Sequence, residues 1–196
     1  MVLSGEELLL PDAAAWRAWL EQHHDVVPAV WLVLSRKGGT VTALDYAAAL
    51  DEALCFGWID GQTRRRDEES TLQRWTPRGP RSRWSARNVA HVERLVREGR
   101  MTEAGRAAVD AAKSDGRWAA AYAGPASATM PADLLAAIAA VPQAQAMYDV
   151  LTAQNRYALY HRLSALRSAE ARARRIEEYV AMLARHETLH PQKRRP

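Results

Sequence analysis

The stretch Cys55–Asn88 constrains the fold most, because turn residues, arginines and tryptophans are concentrated in it. Within it, Trp58–Arg66 has the composition of a strand, Asp67–Ser70 is a polar turn and Thr71–Thr76 predicts a returning strand. The basic loop that follows, PRGPRS, is stiffened by two prolines, each of which fixes φ and lacks a backbone donor. Ser85 can then cap a helix. We therefore predict a β-hairpin, a loop and a helix start that together form one wall of a pocket.

The patterns on either side of this stretch are mostly helical. Before it, Val30–Leu34 is a continuous apolar run typical of a buried strand. Thr42 opens a capping-box pattern that predicts a helix with its N-terminus there. Near the C-terminus, Ala169–Arg185 has the spacing of an amphipathic helix, with the stripe Ile176, Tyr179, Val180 and Leu183. We predict an α+β protein, with a small antiparallel sheet flanked by helices, followed by a C-terminal helical bundle.

A segment of small turn residues around Gly124 and Pro125 is the best candidate for a linker. We therefore predict an α+β domain over residues 1–124, which includes the Trp58–Asn88 hairpin and loop. A C-terminal helical region over residues 125–190 is expected to pack on it.

The composition argues against secretion and membrane insertion. Cys55 is the only cysteine, so neither an intramolecular disulfide nor a four-cysteine metal site can form. The N-terminus carries acids and no basic region of the kind that begins a signal peptide. No apolar run approaches the roughly 20 residues that span a bilayer. These features predict a cytoplasmic protein.

Several runs of the sequence resemble a known family. ALCFGWIDGQ, WTPRGPRSRWSARN and REGRMTEAG are similar to the signature of the YdeI/OmpD-associated family, also called bacteriocin-protection proteins. The run from PADLLAAIAAV to RRIEEYVAML is similar to the C-terminal helical region of that family, so the resemblance extends from about Val30 to Leu183. It implies a bacterial protein with a role in stress or antimicrobial-peptide resistance, and it implies no defined molecular activity.

Five residues of the central stretch form our candidate ligand site. Asp60 lies between two glycines, and a carboxylate is costly to bury unless a cation or donors accompany it. Arg78, in a turn between two prolines, can supply a bidentate partner. Trp58 and Trp84 offer flat apolar walls, and Asn88 fastens the helix start or contacts the ligand. We predict that they bind a small anionic or peptide ligand. The alternatives are a salt bridge that pins the loop and tryptophans that simply fill the core.

Two further functions remain open from the sequence. The arginines at 64–66 and 172–175 suit nucleic acid or another phosphate backbone. An enzyme using Asp60, Arg78 and His91 is the third possibility, although no recognisable nucleophile–base pair accompanies them. The chain has no P-loop and no Rossmann glycine pattern, so we predict no cofactor and assign no catalytic residue.

The run His186–His190, HETLH, matches the H-E-x-x-H pattern of zinc proteases. Proline follows at once and only six residues remain, so no third ligand is available downstream. We predict that the protein holds no metal there and that the tail HPQKRRP is frayed.

Overall fold

The computed structural model of this protein describes residues 7–196, which form two compact units. One unit extends to Ala121 and the other is Tyr122–Pro196. Helices account for 46% of the chain and strands for 14%, so the predicted α+β class is confirmed. No helix within residues 7–196 is long and apolar enough to cross a bilayer. The first six residues, on which part of the argument against a signal peptide rests, lie outside the described residues.

The first unit combines a sheet with helices. Its elements are β1 (Glu7–Leu8), α1 (Ala13–His23), β2 (Val30–Ser35), α2 (Tyr46–Cys55), β3 (Trp58–Arg65), β4 (Ser70–Pro77), α3 (Ala86–Arg97) and α4 (Glu103–Ser114). The strand order is β1-β2-β4-β3. The sheet is mixed rather than wholly antiparallel, because α1 connects β1 to β2 and a helical crossover produces a parallel pair.

The strands β3 and β4 form the hairpin that the sequence predicts, and Asp67 organises its turn. The Oδ1 atom of Asp67 accepts hydrogen bonds from the backbone nitrogens of Glu69 and Ser70, at 2.9 and 2.7 Å. The pairing of the two strands shifts register between Asp60 and Thr63. Such an irregularity bends a strand and changes the aim of its side chains.

Aspartates cap the first two helices, and this corrects one boundary. The helix α2 begins at Tyr46, and the Asp45 side chain accepts a hydrogen bond from the backbone nitrogen of Ala48 at 2.8 Å. Thr42, which we predicted as the cap, lies three residues earlier, and its hydroxyl reaches the carbonyl oxygen of Leu10 instead. Both Thr42 and Asp45 of the predicted capping box can cap a helix, and in the structure Asp45 is the N-cap residue.

Tryptophans from α1 and the hairpin form the centre of the first core. Trp16 stacks on Trp19, with ring centroids 5.2 Å apart, and meets Trp75 at 6.2 Å. Trp58 packs edge-on against Trp16 and Trp19, at 6.3 and 5.9 Å. All four rings are buried, so the hairpin is fixed to the helices mainly by aromatic surface removed from water.

The second unit is helical. Its helices are α5 (Ala132–Ala139), α6 (Pro142–Asp149), α7 (Ala153–Leu163) and α8 (Ala169–Ala184). The predicted amphipathic helix corresponds to α8, in which Tyr179 and Leu183 are buried and Ile176 and Val180 are half-buried. This unit has its own apolar cluster, which is formed by Leu134, Ile138, Ala144, Met147, Leu151, Leu159, Leu163, Tyr179 and Leu183.

The C-terminal tail is bound to α7, so the prediction that it is frayed is wrong. Asn155 is 2% exposed, and its amide accepts from the backbone nitrogen of His190 at 2.9 Å and donates to its carbonyl oxygen at 3.0 Å. The Gln192 side chain accepts from the backbone nitrogen of Thr152 and donates to the carbonyl oxygen of Val150. A buried amide with both groups hydrogen-bonded is a strong local anchor, and no apolar pattern in the tail indicates it.

Candidate functional site

Trp58 occupies a core position and offers little of its surface to a ligand. Its ring is 1% exposed, and its indole nitrogen donates to the carbonyl oxygen of His24 at 3.1 Å. Buried indoles usually find such a partner, because an unpaired N–H in an apolar environment is costly. Trp58 therefore fills the core, which is the alternative that the sequence analysis left open for the tryptophans.

Asp60 has a different partner from the one that the sequence suggests. It is half-buried on β3, opposite Trp75 of β4, and its carboxylate accepts a hydrogen bond from the Tyr46 hydroxyl at 3.0 Å. The Tyr46 ring in turn lies 6.2 Å from that of Trp75. We predicted a cation beside Asp60 because a half-buried carboxylate needs a cation or a hydrogen-bond donor. The Tyr46 hydroxyl is such a donor.

Arg78 and Trp84 do meet, as members of one stacked pair. The guanidinium carbon of Arg78 lies 3.5 Å from the centroid of the Trp84 ring, and Nη1 donates to the carbonyl oxygen of Arg83 at 3.2 Å. Trp84 is 1% exposed and also packs against Trp118 at 4.9 Å. Asn88 is in the first turn of α3, and its backbone nitrogen donates to the Ser85 hydroxyl at 3.1 Å.

The predicted pair of Asp60 and Arg78 is not among the ion pairs of residues 7–196. In the strand register, Asp60 is opposite Trp75, whereas Arg78 follows Pro77, the partner of Trp58. The structure brings Arg78 to Trp84 and Asp60 to Tyr46. That these residues, together with Trp58 and Asn88, bind a ligand stays a prediction.

His91 belongs to a network of charges rather than to an isolated catalytic pair. Its Nδ1 lies 2.9 Å from Asp51, and Arg94 binds the same carboxylate at 2.6 Å. Burial by itself raises the pKa of Asp51, but the hydrogen bonds from Arg94 and His91 outweigh it and hold that pKa below its ordinary value. The neighbouring Glu52 is 7% exposed and pairs with two further arginines, Arg17 and Arg100, at 2.9 and 2.5 Å.

Cys55 is an unreactive thiol at the end of α2. Burial, reinforced by the charge of Glu52, raises its pKa to about 11. The thiolate is the reactive form of cysteine, so a thiol with this pKa is protonated near neutral pH. The residue is a small, buried member of the core.

Most of the arginines proposed for nucleic acid are either paired with carboxylates or stacked on an aromatic ring. Arg65 forms an ion pair with Glu68, and Arg66 pairs with Glu7 at 2.7 Å and Asp67 at 2.9 Å. Arg64 differs from both, because its guanidinium carbon lies 4.3 Å from the centroid of the Trp31 ring. In the second unit, Arg172 binds Asp133 at 2.7 Å and Arg175 binds Glu178 at 2.8 Å. Most of these arginines therefore already form ion pairs with neighbouring carboxylates.

The H-E-x-x-H motif does not lie on a helix. The helix α8 ends at Ala184, and His186 has a φ of 58°, in the left-handed region. His190 follows in the tail, held by Asn155. The two imidazoles are thus not placed one helical turn apart, which the zinc-protease geometry requires. Residues 7–196 contain no group of three or more histidine, cysteine or carboxylate side chains suited to a metal ion.

A pocket of the second unit, which the sequence did not indicate, has the composition of a ligand site. Its volume is about 250 Å³, and it is lined by Pro125, Ala128, Met130, Tyr148, Ala153, Arg156, Tyr157 and Tyr160. Three phenol rings and several apolar side chains thus surround a single cation, Arg156, and no carboxylate lines the pocket. We call it the tyrosine pocket.

Arg156 is held firmly at the wall of the tyrosine pocket. Its Nη2 donates to the carbonyl oxygens of Tyr148 and Asp149, at 3.2 and 3.0 Å, where α6 ends. Its guanidinium carbon lies 4.9 Å from the centroid of the Tyr148 ring. The Nε atom is buried and has no hydrogen-bond partner within the part of the chain that the structure describes. Because Nη2 is anchored on carbonyl oxygens and no carboxylate within residues 7–196 pairs with Arg156, the charge of this guanidinium remains available to an anion in the pocket.

Two tyrosines of α7 complete the wall. The Tyr157 hydroxyl donates to the carbonyl oxygen of Ala123 at 3.3 Å, and the Tyr160 hydroxyl accepts from the backbone nitrogen of Ala123 at 3.0 Å. A hydroxyl that accepts one bond still has a proton to donate, so Tyr160 can serve a second partner. Arg156, Tyr157 and Tyr160 are visible as a cluster on one helix, but no spacing in the sequence links them to Tyr148 or to residues 125–130.

Comparison with known proteins gives two family matches. Residues 8–108 match a family model described as Domain of unknown function (DUF8412). Residues 127–186 match a family model described as Bacteriocin-protection, YdeI or OmpD-Associated. Neither the curated proteins nor the solved structures contain a match. The stretch Cys55–Asn88 thus lies within the first match, and most of the residues that line the tyrosine pocket lie within the second.

Proposed function

We propose that this chain is a binding protein for a small anionic ligand. The chain belongs to the family described as Domain of unknown function (DUF8412). It also carries a Bacteriocin-protection, YdeI or OmpD-Associated domain over residues 127–186. The tyrosine pocket is the proposed site. One observation carries the proposal, namely that Arg156 is the one charged residue among the described residues that line the pocket, where carbonyl oxygens rather than a carboxylate hold it.

The surroundings of Arg156 favour an anion with a planar apolar body. Tyr148, Tyr157 and Tyr160 line the pocket with aromatic rings, and Met130 adds a soft apolar side chain. Sites of this kind bury an apolar body against aromatic walls and fix its orientation with a few polar groups. The Arg156 guanidinium would receive the acid group, and the Tyr160 hydroxyl would donate a second hydrogen bond to it.

The size of the pocket limits the ligand. Its volume, about 250 Å³, is below the roughly 300–1,000 Å³ of pockets for drug-sized molecules. A single aromatic ring with a carboxylate fits this limit. The same chemistry occurs in a free aromatic acid and in the C-terminal residue of a peptide, so both sources are tested below.

Isothermal titration calorimetry with matched probes tests the proposal. We expect 4-hydroxybenzoate to bind and 4-hydroxybenzamide, which has the same shape and no charge, to bind at least about tenfold more weakly. A short peptide ending in tyrosine with a free carboxylate, compared with its C-terminal amide, reports whether the ligand is the end of a peptide. If neither acid binds, or if acid and amide bind equally, the proposed function is wrong.

Variants locate the binding. Arg156→Met removes the charge and keeps an apolar stem, and we expect it to weaken 4-hydroxybenzoate binding by about 1.5–3 kcal/mol, as loss of a charge-assisted hydrogen bond does. Arg156→Lys keeps a charge without the planar fork and should retain part of the affinity. Arg162→Met, an exposed substitution on the same helix, is the matched control and should have no effect.

The description of the matched family supports a protective role for this binding. We propose that ligand capture contributes to resistance of a bacterial cell to an antimicrobial peptide or a related stress, and that the protein acts in the cytoplasm. Survival of a bacteriocin-sensitive strain that produces either the natural chain or its Arg156→Met variant tests the role. Cell fractionation tests the location.

A further inference from the structure

One face of the sheet in the first unit combines an aromatic ring with arginines. Residues of a strand alternate between the two faces, and Val30, Leu32 and Leu34 of β2 lie in the core cluster. Trp31 therefore lies on the opposite face, where it is half-buried. The register places Arg74 directly opposite Trp31. We call this surface the Trp31 face; its members are Trp31, Ile59, Arg64, Leu72 and Arg74.

The neighbouring strand β3 contributes to the same face. Arg64 is opposite Leu72, and Leu72 is opposite Val33, so these three side chains lie in one row. Ile59 is opposite Thr76 and belongs to the same face. The Arg64 guanidinium reaches diagonally onto the Trp31 ring, with its carbon 4.3 Å from the ring centroid. The guanidinium thus lies over the Trp31 ring, and Arg64 as a whole is exposed.

The two arginines of this face are distinguished by their lack of acidic partners. Neither Arg64 nor Arg74 forms an ion pair with any residue from 7 to 196, whereas Arg65 and Arg66 of the same hairpin do. Glu7 is opposite Trp31 at the edge of the face, and Arg66 binds its carboxylate at 2.7 Å. Within residues 7–196, no carboxylate therefore pairs with the positive charges of the Trp31 face, which can attract an anion.

We propose that the Trp31 face binds single-stranded nucleic acid. Arg64 and Arg74 would contact successive phosphates. A base would stack on the exposed plane of the Arg64 guanidinium, which Trp31 supports from the other side. Bases of single strands stack on aromatic rings and on guanidinium planes, and such stacking depends little on sequence. The half-buried Ile59 and Leu72 add apolar surface beside the stack.

The same features argue against a duplex and against an acidic peptide. A duplex hides the faces of its bases, so only the two arginines would contribute to its binding. An acidic peptide offers carboxylates but no planar rings for the stacked Arg64–Trp31 pair. A sheet face with an arginine–tryptophan stack and a second arginine beside it suits a strand whose bases are free.

Fluorescence anisotropy of the full chain with a labelled oligothymidine of about 15 nucleotides tests the proposal. We expect saturable binding at about 50 mM salt that weakens as the salt concentration rises. The double variant Arg64→Gln/Arg74→Gln should reduce the slope of log K against log salt by about 1.4, since each phosphate contact in a single strand contributes about 0.7. Trp31→Leu should weaken binding by about tenfold, and Trp31→Phe, which keeps a ring, should restore most of it.

Matched controls decide the outcome. Arg65→Gln removes a neighbouring arginine that already pairs with Glu68, and it should leave the affinity unchanged. Circular dichroism verifies that each variant is folded. The proposal is overturned if the oligothymidine does not bind, if the Arg65 variant loses as much affinity as the Arg64/Arg74 variant, or if a duplex of equal length binds as tightly. Tighter binding of a glutamate-rich peptide would assign the face to an acidic protein instead.

Discussion

At the scale of single residues, the charged side chains of the first unit act mainly through the partners that they already have. Asp51 illustrates this, because its carboxylate receives hydrogen bonds from both Arg94 and His91, and Arg100 lies 3.8 Å away. A carboxylate with these partners stabilises the fold through its ionised form. This interpretation predicts a pH-dependent stability.

The prediction concerns Asp51→Asn, which keeps the shape of the side chain and removes its charge. The pKa of Asp51 is lower in the folded than in the unfolded chain, so its contribution is fully present above the unfolded value, about 4, and is lost as pH falls through the folded value. We expect the variant to lose about 2 kcal/mol of unfolding free energy at pH 7, and the difference from the natural chain to shrink towards pH 3. Urea denaturation across this range measures both.

The exposed Asp110→Asn on α4 is the control for that experiment, since it removes a carboxylate with the same charge change. It should shift the stability little at any pH, as exposed charges usually do. A loss of equal size in both variants, or a loss in Asp51→Asn that does not depend on pH, would contradict the assignment of Asp51.

At the scale of elements, α8 contributes to the second core through a narrower stripe than the sequence indicates. Leu183 is fully buried, whereas Ile176 and Val180 are half-buried. We expect Leu183→Ala to cost about 2–5 kcal/mol, the range for large-to-small changes in a core, and Ile176→Ala to cost less. The control is Leu135→Ala on α5, whose side chain is 38% exposed and should cost under about 1 kcal/mol. Thermal and urea unfolding rank the three, and an Ile176 loss as large as that of Leu183 would refute the ranking.

Elements are also the scale at which the sequence was most informative. The hairpin, the Ser85 cap and the strand β2 follow from turn residues, a hydroxyl cap and an apolar run, all of which are local. The partners of Asp60 and of Asn155 depend instead on residues distant along the chain, Tyr46 and His190. Local patterns do not contain such information. The same reason explains why the tyrosine pocket, assembled from three separate segments, was missed.

At the scale of the whole molecule, residues 7–196 contain two apolar cores that share no residue. One is centred on the tryptophans of the first unit, and the other is formed by residues from Leu134 to Leu183. A compact unit with its own core can in principle fold alone. All residues that line the tyrosine pocket belong to Tyr122–Pro196, and so do the hydrogen-bond partners that hold Arg156. The fragment Tyr122–Pro196 therefore contains every residue that lines the proposed site.

From this organisation we predict that the fragment Tyr122–Pro196, produced by itself, is helical, unfolds cooperatively and retains the affinity of the full chain for 4-hydroxybenzoate within about threefold. The Asn155→Ala variant of the fragment should be less stable by about 1–3 kcal/mol, because the buried hydrogen bonds to the tail are lost. Circular dichroism and calorimetry test both statements. A fragment that is folded but does not bind, while the full chain does, would show that the first unit contributes to the site. A fragment that does not fold would show that the second core depends on the first.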